Sequence, residues 1–166
     1  VKKMTSPEAL RGRLATLGLD LGVDDTVDPS GVPAQSFEIR DGGAGTRTVG
    51  NRFTILPMEG WDGTDSGAPT PLVQRRWNRF GTSGAKLIWA EATAVTPAGR
   101  ANPHQLIMSA ENAGAIGDAR AEMVAAHQAR FGTTDDLLVG LQLTHSGRWS
   151  RPHGAPEPRI AFSHQL

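Results

Sequence analysis

The segment Lys86-Leu-Ile-Trp-Ala90 is apolar on both faces after its first residue. Such a run suits a strand of a parallel sheet that is covered on both sides. Leu137-Leu-Val-Gly-Leu-Gln-Leu143 is a second run of this kind, and Phe53-Thr-Ile-Leu-Pro-Met58 is a third, shorter one that stops at Pro57. Proline has no N–H to donate to a neighbouring strand. The sequence therefore predicts three strands.

Helical patterns lie between these strands. Thr70 is a candidate N-cap and Gly81 a candidate end, with apolar residues at helical spacing between them. A second helix is predicted over 119–130, and Gly114 and Gly117 leave its start uncertain. Alternating strands and helices favour parallel pairing, with ligands at the carboxyl ends of the strands. Three strands leave both sheet edges unpaired, so the sheet is either small and open or incomplete.

The part of the chain before the first strand has a different character. A short helix is predicted over 6–20, a polar linker over 21–36 and a β-hairpin over 37–49. The fold class predicted is α/β, with two regions: a helix and linker over 1–36, and the α/β part over 37–166.

Composition excludes several classes of function. The 166 residues include 17 basic and 17 acidic side chains, so no global field attracts nucleic acid or an acidic membrane surface. The absence of cysteine excludes disulfides and thiolate catalysis. No apolar run approaches the roughly 18 residues that span a bilayer, and the N-terminus lacks a signal-peptide core. We expect a cytoplasmic protein without nucleic-acid or membrane partners.

Other motifs point away from metal and phosphate chemistry. Gly42-Gly43-Ala44-Gly45 suits a hairpin turn, because no helix follows to bind a phosphate. A lone helical histidine, His127, is expected at the edge of the core with its hydrogen bonds satisfied. No metal site is predicted, because metal-ligand spacing is missing among His104, His127, His153 and His164.

Three motifs together resemble the old yellow enzyme family. Asn51-Arg-Phe-Thr-Ile-Leu-Pro-Met58 resembles its first barrel strand, and Gly84-Ala-Lys-Leu-Ile-Trp-Ala-Glu-Ala-Thr-Ala-Val-Thr-Pro-Ala-Gly-Arg100 its second strand and loop. Leu141-Gln-Leu-Thr-His-Ser-Gly-Arg148 is similar to its third-strand motif. The motifs occur in the family's order and spacing, over about 37–160.

The resemblance implies the amino-terminal part of a (β/α)8 TIM barrel, with about three βα units, preceded by the hairpin and the helix. It implies FMN as cofactor, NAD(P)H as hydride donor and an activated alkene, an enone or enoyl thioester, as substrate. The family's catalytic residues would lie beyond residue 166, so this chain alone is expected to be inactive. Its partner would be the remainder of the barrel or a second copy.

Two alternatives remain open at this stage. One is a half-barrel binding or assembly module of the same ancestry that has lost the chemistry. The other is a different class of TIM barrel in which the flavin motifs are coincidental.

The resemblance also implies which residues contact the flavin. Pro57, Met58 and Glu59 follow the first strand, and the family often has Thr or Cys where this chain has Glu59. Ala92 matches a position whose backbone approaches the flavin pyrimidine; otherwise it is a tightly packed strand end. Gln142 offers an amide donor and acceptor that suit the flavin N3–H and carbonyls; the alternative is a hydrogen bond within the core.

Three further residues are assigned by the same resemblance. Trp61 lies where some relatives carry a substrate-contacting Tyr, so it is a candidate substrate residue or a surface-packing side chain. His145 and Arg148 complete the third motif and are expected to fix the loop by hydrogen bonds; the alternative is that they contact a ligand.

Overall fold

A computed structural model describes residues 4–43 and 45–163 of the chain. Its helices are α1 (Pro7–Thr16), α2 (Pro71–Gly81) and α3 (Ala110–Phe131). Its strands are β1 (Phe37–Asp41), β2 (Gly45–Val49), β3 (Thr54–Ile55), β4 (Leu87–Ala94) and β5 (Leu138–Thr144). Two residues named in the predictions lie outside the described residues: Ala44 in the hairpin turn and His164 among the histidines. No helix in the described ranges is both long and apolar enough to cross a membrane.

The leading helix α1 is shorter than the predicted 6–20 and buries none of its residues. Ser6 caps it by accepting a hydrogen bond from the Ala9 N–H at 3.2 Å. The helix ends before Gly18, which has a φ of 66°. Without a buried face, this helix is stabilised by its cap and by hydrogen bonds from Arg11 to the Val23 carbonyl and to Asp25. The division of the chain at residue 36 stays a prediction.

The predicted hairpin is confirmed. β1 and β2 pair antiparallel from Phe37 opposite Val49 to Asp41 opposite Gly45. Val49 is buried, and the N–H of the next residue, Gly50, donates to the Asp136 carbonyl at 3.0 Å. The hairpin is thereby joined to the start of β5.

The second sheet is parallel, as predicted, in the order β3-β4-β5. The prediction of a strand over 53–58 is wrong in extent, because only two residues of β3 pair with β4. The strand has a partner on one side alone, and Pro57 cannot donate to a ladder. β4 extends four residues beyond the predicted end at residue 90, because β5 pairs with it as far as Ala94.

Helices α2 and α3 cover one face of this sheet. Their buried side chains and those of the strands form one core: Val73, Trp77, Ile88, Ala90, Leu106, Ile116, Ala119 and Met123. The expectation that β4 is covered on both sides is not met, because Trp89 on the other face is 41% exposed. We call that side, which carries Thr54, Leu56, Leu87, Trp89 and Gln142, the open face.

Helix α3 begins nine residues before the predicted residue 119. Ser109 caps it, and the buried Asn112 side chain donates to the carbonyls of Ser66 and Ile107. These tertiary contacts offset the low helix propensity of Gly114 and Gly117. A prediction from local sequence does not include such contacts, so it gives the two glycines too much weight and starts the helix too late. Thr70 caps α2 as predicted.

Candidate functional site

Three of the residues predicted to bind flavin lie together at the carboxyl ends of the three parallel strands: Pro57, Ala92 and Gln142. Pro57 follows β3, and Ala92 in β4 lies directly opposite Gln142 in β5. Pro57 and Gln142 both line an open groove of about 510 Å³ on the open face. Positions far apart in the sequence therefore meet at the strand ends where α/β proteins bind ligands.

A bulge in β4 decides which side chains reach this groove. Trp89 is opposite Gly140 and Ala92 is opposite Gln142, so β4 has one residue more than β5 between these pairs. As a result Ala90 and Glu91, although consecutive, both face the helices. Strict alternation would have placed Glu91 on the open face.

Trp89 forms the floor of the groove. Its indole lies against Gly140, where an added Cβ would be 3.0 Å from the nearest ring atom. Glycine at position 140 therefore lets the large ring lie close to the sheet and leaves the groove accessible.

The Gln142 side chain is half-buried and makes no hydrogen bond with any described residue. The alternative of a hydrogen bond within the core is therefore not what the structure shows. A half-buried amide with unused donor and acceptor groups is suited to a polar ligand in the groove.

Ala92 is buried, and its carbonyl oxygen accepts a hydrogen bond from the Gln105 side chain at 3.0 Å. Gln105 also donates to Thr144 Oγ1 at 3.3 Å and accepts from the Ala101 N–H at 2.7 Å. It joins the ends of β4 and β5, a role that the sequence gives no signal for, since Gln105 lies in a loop.

The other candidates after β3 lie on the surface. Met58 is 76% exposed and Trp61 is 70% exposed. The Trp61 Nε1–H donates to Glu59 Oε1 at 3.2 Å. The Glu59 carboxylate is thus directed toward Trp61.

The loop after β5 is held as the third motif predicts for His145. Its Nδ1 accepts a hydrogen bond from the Gly147 N–H at 3.0 Å, and its ring packs against Gly99. Arg148 is exposed. Arg100, at the end of the second motif, is buried, and its guanidinium donates to the backbone carbonyls of Thr64, Asp65 and Gln105.

Glu91 is a candidate functional residue that was not among those predicted from the sequence. Its side chain is 1% exposed. One carboxylate oxygen accepts from the Gly60 N–H at 2.8 Å, and the other from Arg76 Nη2 at 2.7 Å and Trp77 Nε1 at 2.8 Å. Hydrogen bonds from Arg76 to Asp62 and then to Glu91 raise the pKa of the guanidinium. An acid inside an apolar strand was the available signal, because a buried carboxylate requires partners.

A second polar cluster lies at the opposite end of the sheet. Lys86 Nζ is 2.7 Å from Asp136 Oδ1 and 3.0 Å from His127 Nε2, and His127 Nδ1 is 2.9 Å from the Gly81 carbonyl oxygen. An ammonium group only donates, so Nε2 accepts and Nδ1–H donates to the carbonyl. The expectation of a satisfied His127 is confirmed. No group of three potential metal ligands occurs within 4–43 and 45–163.

This cluster predicts a pH-dependent stability. Burial lowers the pKa of His127, the nearby Lys86 charge lowers it further, and the Gly81 carbonyl and Asp136 act in the opposite direction. The unfolded imidazole binds a proton near pH 6.5, whereas the folded one resists it. The free energy of unfolding should therefore be constant above about pH 7.5 and fall as the pH drops through about 6.5.

Urea unfolding between about pH 8 and pH 5 measures this slope. His127→Gln should be less stable at pH 8 but should lose most of the slope, because the titrating group is gone. His104→Gln, which changes an exposed histidine, should keep the slope. An equal slope in the His127→Gln variant would contradict the assignment.

Comparison with known proteins places the fold. No protein-family model and no curated protein matches the sequence. A 2-naphthoyl-CoA reductase in complex with 2-naphthoyl-CoA superposes with a TM-score of 0.57 at 13% identity, over 74% of this chain and 17% of that chain. The old yellow enzymes of Trypanosoma cruzi and of a Pichia species superpose with TM-scores of 0.51 and 0.54 at 23% and 13% identity. Each match covers 72% of this chain and 28% of the enzyme.

These matches define the fold. The chain is a mixed α/β protein whose open sheet corresponds to part of a TIM barrel, and it spans less than a third of the length of these three proteins. Old yellow enzymes are among the solved structures that share this arrangement, so the resemblance predicted from the three motifs is confirmed at the level of the fold.

Proposed function

We propose that this chain is the amino-terminal part of an FMN-dependent NAD(P)H oxidoreductase that reduces activated C=C bonds of enones or enoyl thioesters. The observation that carries the proposal is the unpartnered Gln142 amide in the groove, opposite Ala92 and close to Pro57. These residues come from the three motifs that resemble the family. The reductases that share the fold support the same class of function.

The residues present fit a flavin ring. The Gln142 amide would hydrogen-bond the N3–H and a ring carbonyl, and the small Ala92 would let the ring lie close to the β4 backbone. Backbone groups of Pro57 and Met58 would line its other side. When bound, FMN supplies hydride transfer from NAD(P)H to the β-carbon of the alkene. In this proposal the groups that polarise the substrate carbonyl and donate a proton lie outside this chain.

Two further assignments belong to the proposal. Trp61, which is exposed in the loop after β3, would contact substrate. Glu59 would be turned away from the flavin by its hydrogen bond to Trp61. A cytoplasmic location stays a prediction.

Retention of flavin after desalting tests the proposal. This chain and the full gene product are each mixed with excess FMN, desalted and scanned for the visible flavin band. Retention by the longer product alone supports a reductase whose site this chain only begins. Retention by neither contradicts an FMN site. Retention by this chain as well would contradict a site that it only begins, and would mean that a partner or a self-assembled barrel completes the site.

The Gln142 contact gives a quantitative prediction. Gln142→Leu in the flavin-binding form should raise the FMN dissociation constant about tenfold, because it removes hydrogen bonds worth roughly 1–1.5 kcal/mol. Quenching of FMN fluorescence measures the constant. Gln74→Leu makes the same change in α2, away from the groove, and should leave the constant unaltered. Equal constants for both variants would exclude Gln142 as a ligand.

An assembly module is a second candidate, because the open face is apolar and exposed. On this face Leu56 is 71% exposed and Trp89 is 41% exposed. Exposed apolar patches of this kind mark interaction surfaces. The occupant would be the remainder of the barrel or a second copy. A dimer mass by size exclusion with light scattering, together with no flavin binding, would favour the module.

A further inference from the structure

The loop that carries Pro57, Met58 and Glu59 is anchored at its far end by the buried Glu91 carboxylate. The anchor is the Gly60 N–H, which donates to Glu91 Oε1 at 2.8 Å. The other oxygen, Oε2, accepts from two donors on α2, Arg76 and Trp77. Glu91 therefore joins the loop to the helix through separate oxygens.

The fit around Gly60 is close. A Cβ at this position would be 2.4 Å from an Arg76 nitrogen, 2.5 Å from Glu91 Oε1 and 2.6 Å from an Asp62 oxygen. The loop backbone thus lies directly on the charged groups, which any side chain at residue 60 would displace. The contact depends on the bulge, which turns Glu91 toward α2.

A second tie lies two residues further on. Arg76 donates to both Asp62 oxygens, at 2.5 and 2.9 Å. The Thr70 hydroxyl, at the N-cap of α2, donates to the Asp62 carbonyl at 2.5 Å. The segment between β3 and Asp62 is therefore fixed at both ends, and Pro57 and Met58 lie between the fixed points.

We propose that Glu91 is a positioning residue for the cofactor site. It does not reach the groove; it acts through the Gly60 N–H, which sets the path of the loop and so the position of Pro57 and Met58 against the flavin. That the ligand is FMN rests on the proposed function. The tie itself, between Glu91 and Gly60, can be measured without any ligand.

Glu91→Gln separates this tie from the rest of the network. An amide has one acceptor oxygen, whereas both carboxylate oxygens of Glu91 face donors. The oxygen is expected to remain toward Arg76 and Trp77, because that side has two donors and one is charged. The amide NH2 would then face the Gly60 N–H, donor against donor, and that bond would be lost.

Amide hydrogen exchange at Gly60 is the first measurement, made on this chain without FMN. Exchange in Glu91→Gln should be at least about tenfold faster than in the wild type. His127→Gln, a change of a buried polar group at the opposite end of the sheet, should leave Gly60 exchange within about twofold. Unchanged exchange in Glu91→Gln would overturn the proposal, whatever the chain binds.

FMN affinity of the full gene product is the second measurement. Glu91→Gln should raise the dissociation constant about tenfold, and His127→Gln should leave it within about twofold at a temperature where all variants are folded. Faster Gly60 exchange with unaltered FMN affinity would overturn the positioning role. Wild-type protein that binds no FMN would overturn the proposed function and the role at the cofactor, while Gly60 exchange would still decide whether the tie exists.

Discussion

Replacement of Trp77 by alanine is expected to lower the free energy of unfolding by about 3–5 kcal/mol. The indole is buried at the centre of the core that α2 and α3 form against the sheet, and its Nε1–H donates to Glu91. The change leaves a large cavity and removes one of the donors that compensate a buried carboxylate. Urea unfolding followed by far-ultraviolet circular dichroism measures the loss.

Two variants make this result interpretable. Trp149 is 73% exposed, so Trp149→Ala should change the stability by no more than about 0.5 kcal/mol. Trp77→Phe keeps an aromatic ring but removes the Nε1–H donor, so it should remain folded with an intermediate stability. A loss below about 1 kcal/mol for Trp77→Ala would contradict the described core.

The second large effect is expected at the last residue of α2. Gly81→Ala should destabilise the fold by about 2–3 kcal/mol, because a Cβ there would be 2.2 Å from the Met123 carbonyl oxygen on α3. A backbone atom cannot rotate away as a side chain can, so the helices would have to separate. Separation would also lengthen the hydrogen bond from His127 to the Gly81 carbonyl.

Gly114→Ala is the matched control, with the opposite sign. It is a glycine inside α3, and apart from its chain neighbours and the backbone of its own helix no described atom lies within 4 Å of the added Cβ. Alanine has the higher helix propensity, so this variant should gain about 0.5–1 kcal/mol. Chemical unfolding of both variants checks the pair. Destabilisation by both would indicate that the close contact with Met123 is not what separates the two sites.

The contact between Trp77 and Glu91 also bears on the candidate site. Trp77 and Arg76 are adjacent on α2, and both bind the carboxylate that holds the loop after β3. Replacement of Trp77 is therefore expected to reach the groove through Glu91.

Much of the candidate site was predictable because its residues lie in ungapped motifs. Gln142 lies within an apolar strand, and a polar amide there requires a hydrogen-bond partner. This indicates a candidate site from the sequence alone, before the residues around it in space are known. Its position opposite Ala92 was not predictable in the same way, because it depends on the bulge in β4; in unbroken register Ala92 would lie opposite Leu143. Gln105 was not predictable, because nothing local shows that a loop amide bridges the ends of β4 and β5.

The role of Glu91 shows where a prediction from one strand fails. The alternation of side chains along a strand predicts which face of the sheet each one lies on only while the two paired strands stay in register, one residue opposite one. The extra residue in β4 is defined by its pairing with β5, so it cannot be read from β4 alone. That one residue moves the Glu91 carboxylate from the open face to the helices, where it meets Arg76 and Trp77.

The sequence by itself determined the order of strands and helices, the hairpin and the caps at Ser6 and Thr70. Each of these depends on residues a few positions apart. The length of β3, the start of α3 and the direction of Glu91 were decided by the tertiary structure. Each of these depends on hydrogen bonds or packing between segments that are distant in sequence. Local propensity is weaker than such contacts, so they decide wherever the two disagree.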